Sequence, residues 1–517
     1  MPAASTGAVA RFAGSTPATA GAAASAVPAV DSPAPASTTP AAPVPPAGED
    51  RRRAPGAPGF RRMSFALFLA GVATFALLYS TQALLPLISA DFAVGAGDAS
   101  WTVSAATGAL ALFVLPLSAL SERFGRRTLM TVSLAVAVAV SLLIPFAPSL
   151  EALIALRAVQ GAALAGVPAS AMAYLAEEVR PRALVAAIGL FVAGNSIGGM
   201  SGRVVTGWVA QEWGWRVALG VLGLLAVVSA LAFRALVPAP RHFTPAPLSP
   251  RALGRTVRDH LSDPLLRRLY AIGALFMTVF GAVYTVIGYR LTEAPFSLPQ
   301  GVVGSIFLVY LVGTVSSAAA GRLVARLGRR GTLYLAGGTT SAGLLLSLAG
   351  SLIPVLAGLV LITAGFFAGH AVASAAVSRT ATHGRAQASA LYQSAYYLGS
   401  SAGSTLGALA FHAGGWAAAV ALGLLAVTGV VAITLLGTRA ARVEQRVRRD
   451  AAVARGGAVR SGSGQGAAGQ GGPGQGSVGR DGSGQGGSGQ GGSGRSGSGL
   501  GGSVRAGRAA PVLAARH

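Results

Sequence analysis

The chain has 517 residues, of which 52% are hydrophobic and 11% charged, with a formal net charge of +24 and a mean hydropathy of +0.60. A soluble domain carries roughly 25% charged residues, so this balance excludes an ordinary soluble fold and points to a bilayer. Cysteine is absent, which excludes disulfides and thiolate metal sites, and lysine is absent too, which excludes a Walker A phosphate loop and a Schiff base to a cofactor. All the basic charge is therefore arginine, and it falls in the tails and inter-helix loops, where it orients a chain in a membrane and gives no ground for a nucleic-acid role.

Residues 1–62 are Ala-, Pro-, Ser- and Thr-rich and end in Arg51-Arg52-Arg53 and Arg61-Arg62. No apolar run follows a charged start, so this stretch reads as a disordered tail and not as a signal peptide. Twelve apolar stretches of about twenty residues follow, the length that crosses ~30 Å of hydrocarbon. They lie near 66–89, 101–121, 128–147, 151–174, 184–209, 216–237, 269–290, 300–323, 331–350, 354–377, 386–411 and 416–437. Residues 63–237 are thus expected to form one six-helix bundle and 268–437 another. Between them lies a Pro/Arg-rich loop, 238–267, with Arg241, Arg251, Arg255 and Arg258. Residues 438–517 turn charged, then Gly/Ser/Gln-rich with Gly-Ser-Gly-Gln-Gly pentads, and read as a second disordered tail.

Arginine counts set the orientation. One side holds Arg123, Arg126, Arg127, Arg180, Arg182, Arg322, Arg326, Arg329, Arg330, Arg379 and Arg385, and the other little beyond Arg216 and Arg290. Both termini are expected in the cytoplasm of a cell that keeps this protein in its plasma or inner membrane.

Two basic loops repeat. Ser118-Ala119-Leu120-Ser121-Glu122-Arg123-Phe124-Gly125-Arg126-Arg127 and Gly321-Arg322-Leu323-Val324-Ala325-Arg326-Leu327-Gly328-Arg329-Arg330 lie about 200 positions apart, which implies a duplicated membrane bundle. Glu122 supplies an acid where the second copy has Ala325, and Gly321 a glycine where the first has Ser118. Small-residue faces also repeat, at Gly194, Gly198 and Gly202 in the fifth stretch and at Gly399, Gly403 and Gly407 in the eleventh. Glycines one turn apart let two backbones approach closely, which helix pairing in lipid exploits.

Polar groups at membrane depth are few. Arg157 and Gln160 lie on the fourth stretch, and an arginine there is costly unless it faces a cavity or a partner. His370 shares a helical face with Phe366 and Ser374. Tyr79, Gln82, Asn195, Tyr284, Tyr392, Gln393 and Tyr396 complete the set expected to line an amphiphilic cavity; the aromatic ones equally suit packing. No Asp or Glu lies deep in any stretch, so a proton carrier is sought at Asp91, beside Arg157 at the outer gate, or at His370, whose unperturbed pKa is roughly 6.5.

These features resemble the major facilitator superfamily. The basic loops match its signature between the second and third helices, Arg157-Ala158-Val159-Gln160-Gly161 its fourth-helix signature, and Gly194-Asn195-Ser196-Ile197-Gly198-Gly199 its antiporter signature with Asn195 in place of proline. Within it the chain is most similar to bacterial inner-membrane YnfM-type transporters, grouped with arabinose or drug efflux permeases, through Thr74-Phe75-Ala76-Leu77-Leu78-Tyr79, Tyr174-Leu175-Ala176-Glu177-Glu178 and Ala364-Gly365-Phe366-Phe367-Ala368-Gly369-His370. The resemblance implies an all-α membrane protein of twelve transmembrane helices in two pseudo-symmetric six-helix bundles. It implies alternating access, with Glu122, Gly125, Arg126 and Arg127 facing Gly321, Gly328, Arg329 and Arg330 as a cytoplasmic latch. It implies proton-coupled efflux of a small amphiphilic molecule by a monomer without cofactor or metal. Uptake by symport or facilitated diffusion is the alternative, and a polytopic membrane enzyme or sensor the remote one.

Overall fold

The computed structural model describes residues 58–245 and 249–462, and among these every regular element is a helix. The expected tails at 1–57 and 463–517 lie outside the described residues. Of the described residues, those up to Val443 form one compact unit and those from Glu444 a second. The spans all belong to the first.

The first span is two helices, α1 (Pro58–Leu78) and α2 (Leu85–Phe92), joined by a 3-10 turn at Gln82–Leu84. Pro86 explains the interruption: it has no N–H and its ring crowds the carbonyl of Gln82 four positions back. The second and third spans are α3 (Ala96–Phe124) and α4 (Arg126–Leu143). The fourth is again split, into α5 (Leu150–Leu164) and α6 (Gly166–Glu178), and Pro168 stands four residues after Leu164. Ser149 starts α5 by accepting the Ala152 N–H at 3.3 Å.

Helix α7 (Pro181–Leu236) holds two spans that part at Gly214. After the short α8 (Pro250–Ser262), α9 (Pro264–Thr292) is the seventh span, capped by the Asp263 carboxylate on the N–H groups of Leu265 and Leu266 at 2.7 and 3.2 Å. Helix α10 (Gln300–Ser305) and α11 (Tyr310–Leu346) hold the eighth and ninth spans, which part at Gly328. Helix α12 (Leu352–Thr380) is the tenth, and α13 (Arg385–Gly462) carries the last two, which part at Gly414 and Gly415. Nine stretches among the described residues are long and apolar enough to cross a membrane, and three of them divide at glycine, which makes twelve spans.

The helical segments overrun the expected boundaries. α1 starts at Pro58, inside the expected tail, α8 occupies the expected loop, and α13 continues past 437 to Gly462. Ala, Arg, Glu and Val dominate 439–455, and the Ala, Arg and Glu among them are strong helix formers, so the chain does not stop being helical where it stops being apolar.

Each half is clamped by the glycine faces. A Cβ added at Gly194 or Gly198 would strike the carbonyl oxygens of Phe68 or Val72 on α1, and one at Gly202 would come within 2.9 Å of the Ala76 Cα. In the second half Gly399 and Gly403 meet the carbonyl oxygens of Ala274 and Thr278 on α9 in the same way, and Gly407 the Ala282 Cα at 2.5 Å. The first and fifth spans, and the seventh and eleventh, are therefore backbone-to-backbone pairs.

The linker is shared between the halves. The Glu178 carboxylate accepts the backbone N–H of His242 at 2.9 Å and that of Arg241, and Tyr174 donates to the Pro238 carbonyl at 2.8 Å, which staples the linker's start to the first half. Its later helix, α8, reaches the second half, where His260 meets the Gly384 carbonyl at 3.2 Å and stacks on His383.

Candidate functional site

The described contacts between the halves lie toward one end. At the end away from Gly125 and Gly328, Tyr289 shares a 2.6 Å hydrogen bond with Ser89 and donates to the Leu85 carbonyl at 3.1 Å. Trp208 donates to Ser305 at 2.9 Å, and the Gly301 N–H to Gln211 at 3.0 Å. Ser401 and Ser104 exchange hydroxyl-to-carbonyl bonds of 2.9 and 3.1 Å. Gly207 and Gly304 let the fifth and eighth spans touch: an added Cβ at Gly207 would lie 2.8 Å from the Gly304 Cα. Toward the basic loops the described hydrogen bonds, ion pairs and ring contacts link side chains only within a half. Buried Met63, Leu67, Met130, Tyr174 and Phe233 form a core of the first half there, separate from the cluster that crosses both halves.

Where this seam ends, Arg203 of α7 is 2% exposed. Its guanidinium stacks over Tyr79 at 4.6 Å, Phe307 at 4.7 Å and Tyr310 at 5.1 Å, the last two from the opposite half. Its Nε and Nη2 both donate to the Gln82 Oε1, at 2.9 and 2.5 Å, and Nη1 donates to the Gly199 carbonyl. Gln82 in turn donates to Thr285 of the second half at 3.4 Å, and Thr285 to Ser404 at 2.9 Å. No carboxylate pairs with Arg203 among the described residues.

The second half offers rings. Phe280 stacks on Phe366 at 4.0 Å and tilts against Tyr284 and Tyr310 at 4.4 and 5.1 Å. His370 lies 4.7 Å from Tyr396 and shares a 3.0 Å hydrogen bond between its Nδ1 and the Tyr392 hydroxyl. The Tyr310 hydroxyl and the Gln393 Oε1 are buried without a partner among the described residues.

Several expected site residues belong elsewhere. Arg157, 0% exposed, does not face a cavity. Its Nε donates to the Thr102 carbonyl at 2.9 Å and its Nη1 to the Leu77 carbonyl at 2.7 Å, with Leu78, Ser80 and Gln160 completing the set. It thus bonds to the last carbonyls of α1, where the first span breaks; the Leu77 carbonyl also accepts the Ser80 N–H at 3.3 Å. Gln160 is buried beside it and reaches the Ala137 carbonyl at 3.3 Å. Asn195 faces Gly71 inside the seam between the first and fifth spans. Tyr284 is a core group, 2.6 Å from Thr363. Asp91 pairs with Arg216 and not with Arg157, because α2 ends beside the start of the sixth span.

The latch is also redrawn. Arg126 is bound by Glu177 at 3.1 Å and lies 3.8 Å from Glu122, all within the first half. Arg330 donates to the Gly437 carbonyl at 3.3 Å, and no described ion pair joins Arg127, Arg329 or the Gly321 loop across the halves. Gly125 and Gly328 do hold equivalent turns, with φ of 95° and 70°, a region that suits glycine.

Sequence reading missed Arg203, Phe307 and Tyr310. The cost argument that singles out Arg157 applies equally to Arg203, but an expected helix end at 209 puts Arg203 near the surface. The helix in fact runs on to Gly214, eleven residues beyond Arg203, or ~16 Å, which puts Arg203 deeper than the depth expected of Arg157.

Twelve helical spans in two halves, with polar and aromatic groups gathered where they meet, define a membrane transport protein. The family model described as Major Facilitator Superfamily matches residues 64–373. The inner membrane transport protein YnfM of Escherichia coli (strain K12) is 40% identical over 384 residues, 74% of this chain and 91% of its own. An uncharacterized MFS-type transporter of Bacillus subtilis (strain 168), YybF, is 38% identical over 395 residues, 76% of this chain and 97% of its own. A bacterial homologue of the human lysosomal transporter Spinster, in its inward-facing and occupied conformation, shares the fold with a TM-score of 0.59 at 15% identity, over 74% of this chain and 98% of that one. The chain belongs to the Major Facilitator Superfamily and is a multi-pass membrane transporter of YnfM type.

Proposed function

We propose that the chain is a monomeric secondary transporter of the inner membrane that exports a small amphiphilic molecule in exchange for protons, by alternating access and without enzymatic chemistry. The observation that carries this reading is the one-sided seam: the halves are bonded to each other around Tyr289, Gln300 and Trp208, and among the described residues no side-chain hydrogen bond, ion pair or ring contact joins them at the basic loops. With both termini cytoplasmic, as the arginine distribution suggests, that form is open to the cytoplasm and ready to load. The partial antiporter motif at Gly194–Gly199 favours export.

For the proton, the Asp91–Arg216 pair leaves His370 as the better candidate. Its ring hydrogen-bonds to Tyr392 and packs on Tyr396, at the edge of the aromatic cluster a substrate would enter. Flux measured in oriented vesicles under an imposed pH gradient tests this. Gradient-driven export by the wild type, lost in His370→Ala and kept in Asp91→Asn, is the expected result. Flux indifferent to the gradient makes the protein a facilitator.

A further inference from the structure

The most unusual group in the described chain is the Arg203 guanidinium. A cation taken out of water is held in proteins by an opposite charge or by a full set of hydrogen bonds. Arg203 has neither. It owns five N–H donors, and three described bonds use them, two to the same Gln82 oxygen and one to a carbonyl one turn back. Three rings cover its faces, and the hydroxyl of one of them, Tyr310, is itself buried and unpaired.

We propose that Arg203 is the anchor for an aromatic organic anion, a flat ring system bearing one carboxylate or sulfonate, and that this is the substrate class of the transporter. The inference rests on the transport reading above. The Nε–Nη2 edge that Arg203 presents to Gln82 is the edge a carboxylate takes bidentately, and a neutral amide oxygen is the weaker acceptor of the two. An anionic oxygen arriving there replaces the Gln82 oxygen and finds the Tyr310 hydroxyl as a further donor beside it. The ring of the ligand would insert by parting Phe307, Tyr310, Phe280 and Phe366, which are buried and stack and tilt on one another in this form. A cationic ligand meets a like charge, with no acid to receive it among the described residues at this place.

The displacement has a structural consequence. Gln82 lies between Arg203 of its own half and Thr285 of the other, so an anion that takes over Arg203 frees the Gln82 side chain to turn away from its 3.4 Å bond across the seam. Ligand binding and seam opening are thereby coupled through one side chain.

The test uses the full chain purified in detergent, with naphthoate, naphthylmethanol and naphthylmethylamine as an anionic, neutral and cationic series on one ring system, and decanoate as an anion without a ring. Binding is read by titration calorimetry. The expected order places naphthoate tightest, at least about tenfold ahead of the other three. Arg203→Gln removes that preference while leaving any weak naphthylmethanol binding, Arg203→Lys keeps part of it, and Gln82→Ala raises naphthoate affinity because the competing oxygen is gone. Should Arg203→Gln fail to fold, Tyr310→Phe, which keeps the ring and loses the hydroxyl, is expected to weaken naphthoate several-fold and naphthylmethanol not at all. Equal or tighter binding of the neutral or cationic probe, of decanoate, or no binding by any of them, overturns the proposal, as does lower naphthoate affinity in a folded Gln82→Ala. Proteoliposome flux separates the two readings: Arg203-dependent naphthoate binding without movement across the bilayer refutes transport of this class and leaves the site standing.

Discussion

The two halves share a frame and differ in what fills it. Both pair two spans backbone to backbone through glycines, and both turn at a left-handed glycine between their second and third spans. Inside that frame the first half is polar and charged, with Arg157, Gln160, Gln82 and Arg203 buried. The second is aromatic: Phe280, Tyr284, Phe307, Tyr310, Phe366 and Phe367 touch one another in sequence. The frame follows from how helices pack in lipid, where small residues must let backbones approach. The filling follows from division of labour at the seam, where a cation from one half is laid against rings from the other.

The largest expected effect breaks the comparison at the first-half core. Arg157 closes the carbonyls of Leu77 and Thr102, whereas the equivalent stretch of the second half relies on the Tyr284 hydroxyl bonded to Thr363. Arg157→Leu gives up the five buried hydrogen bonds of one guanidinium at once and is expected to cost about 3 kcal/mol or more, whereas Tyr284→Phe gives up one neutral hydrogen bond, about 1 kcal/mol. Thermal unfolding of the two variants in the same detergent reads the difference. Equal losses would mean that the charged and the aromatic core are interchangeable.

The second prediction sharpens what the halves share. Gly198→Leu and Gly403→Leu each drive a side chain into the facing backbone, onto Val72 in one half and Thr278 in the other. Overpacking a tight interior costs about 1–3 kcal/mol, and the two variants should lose folded, monodisperse protein to a similar degree. A clear inequality between them would show that one seam is rigid and the other yields.

Much of the frame was readable from the residues. Apolar length located all twelve spans, and glycine spacing located both seams, because each signal is local. The site was less readable because its partners come from different spans. Asp91 and Arg216 lie 125 positions apart, and Arg203 meets Tyr310 across the two halves. Arg157 was recognisable as a buried charge, but its acceptors are mostly backbone carbonyls of other spans, at Leu77, Leu78 and Thr102, and a carbonyl leaves no polar residue type to point at it. Phe307 and Tyr310 stand among apolar residues at the start of the eighth span, where an aromatic side chain looks like packing.

The smallest expected effect concerns the basic loops, the feature by which the halves first look alike. In the first loop Arg126 has two acids, Glu177 at 3.1 Å with a hydrogen bond to it and Glu122 at 3.8 Å across the Gly125 turn, at the end of α3. In the second, no described carboxylate accompanies Arg329 or Arg330. The repeat therefore preserves the turn and the positive charge but balances that charge on one side only. Partly exposed pairs contribute little, about 0–1 kcal/mol, and somewhat more where a buried arginine is hydrogen-bonded. Arg126 is largely buried, so Glu177→Gln is expected to lower the unfolding temperature by more than Glu122→Gln, with both losses shrinking as salt is added. Arg330→Gln in the second loop should leave the unfolding temperature nearly unchanged, since it gives up one 3.3 Å bond to a carbonyl and relieves repulsion from its neighbour. A larger loss for Glu122→Gln than for Glu177→Gln would return the leading role to the i,i+4 pair and to a latch built on the loop alone.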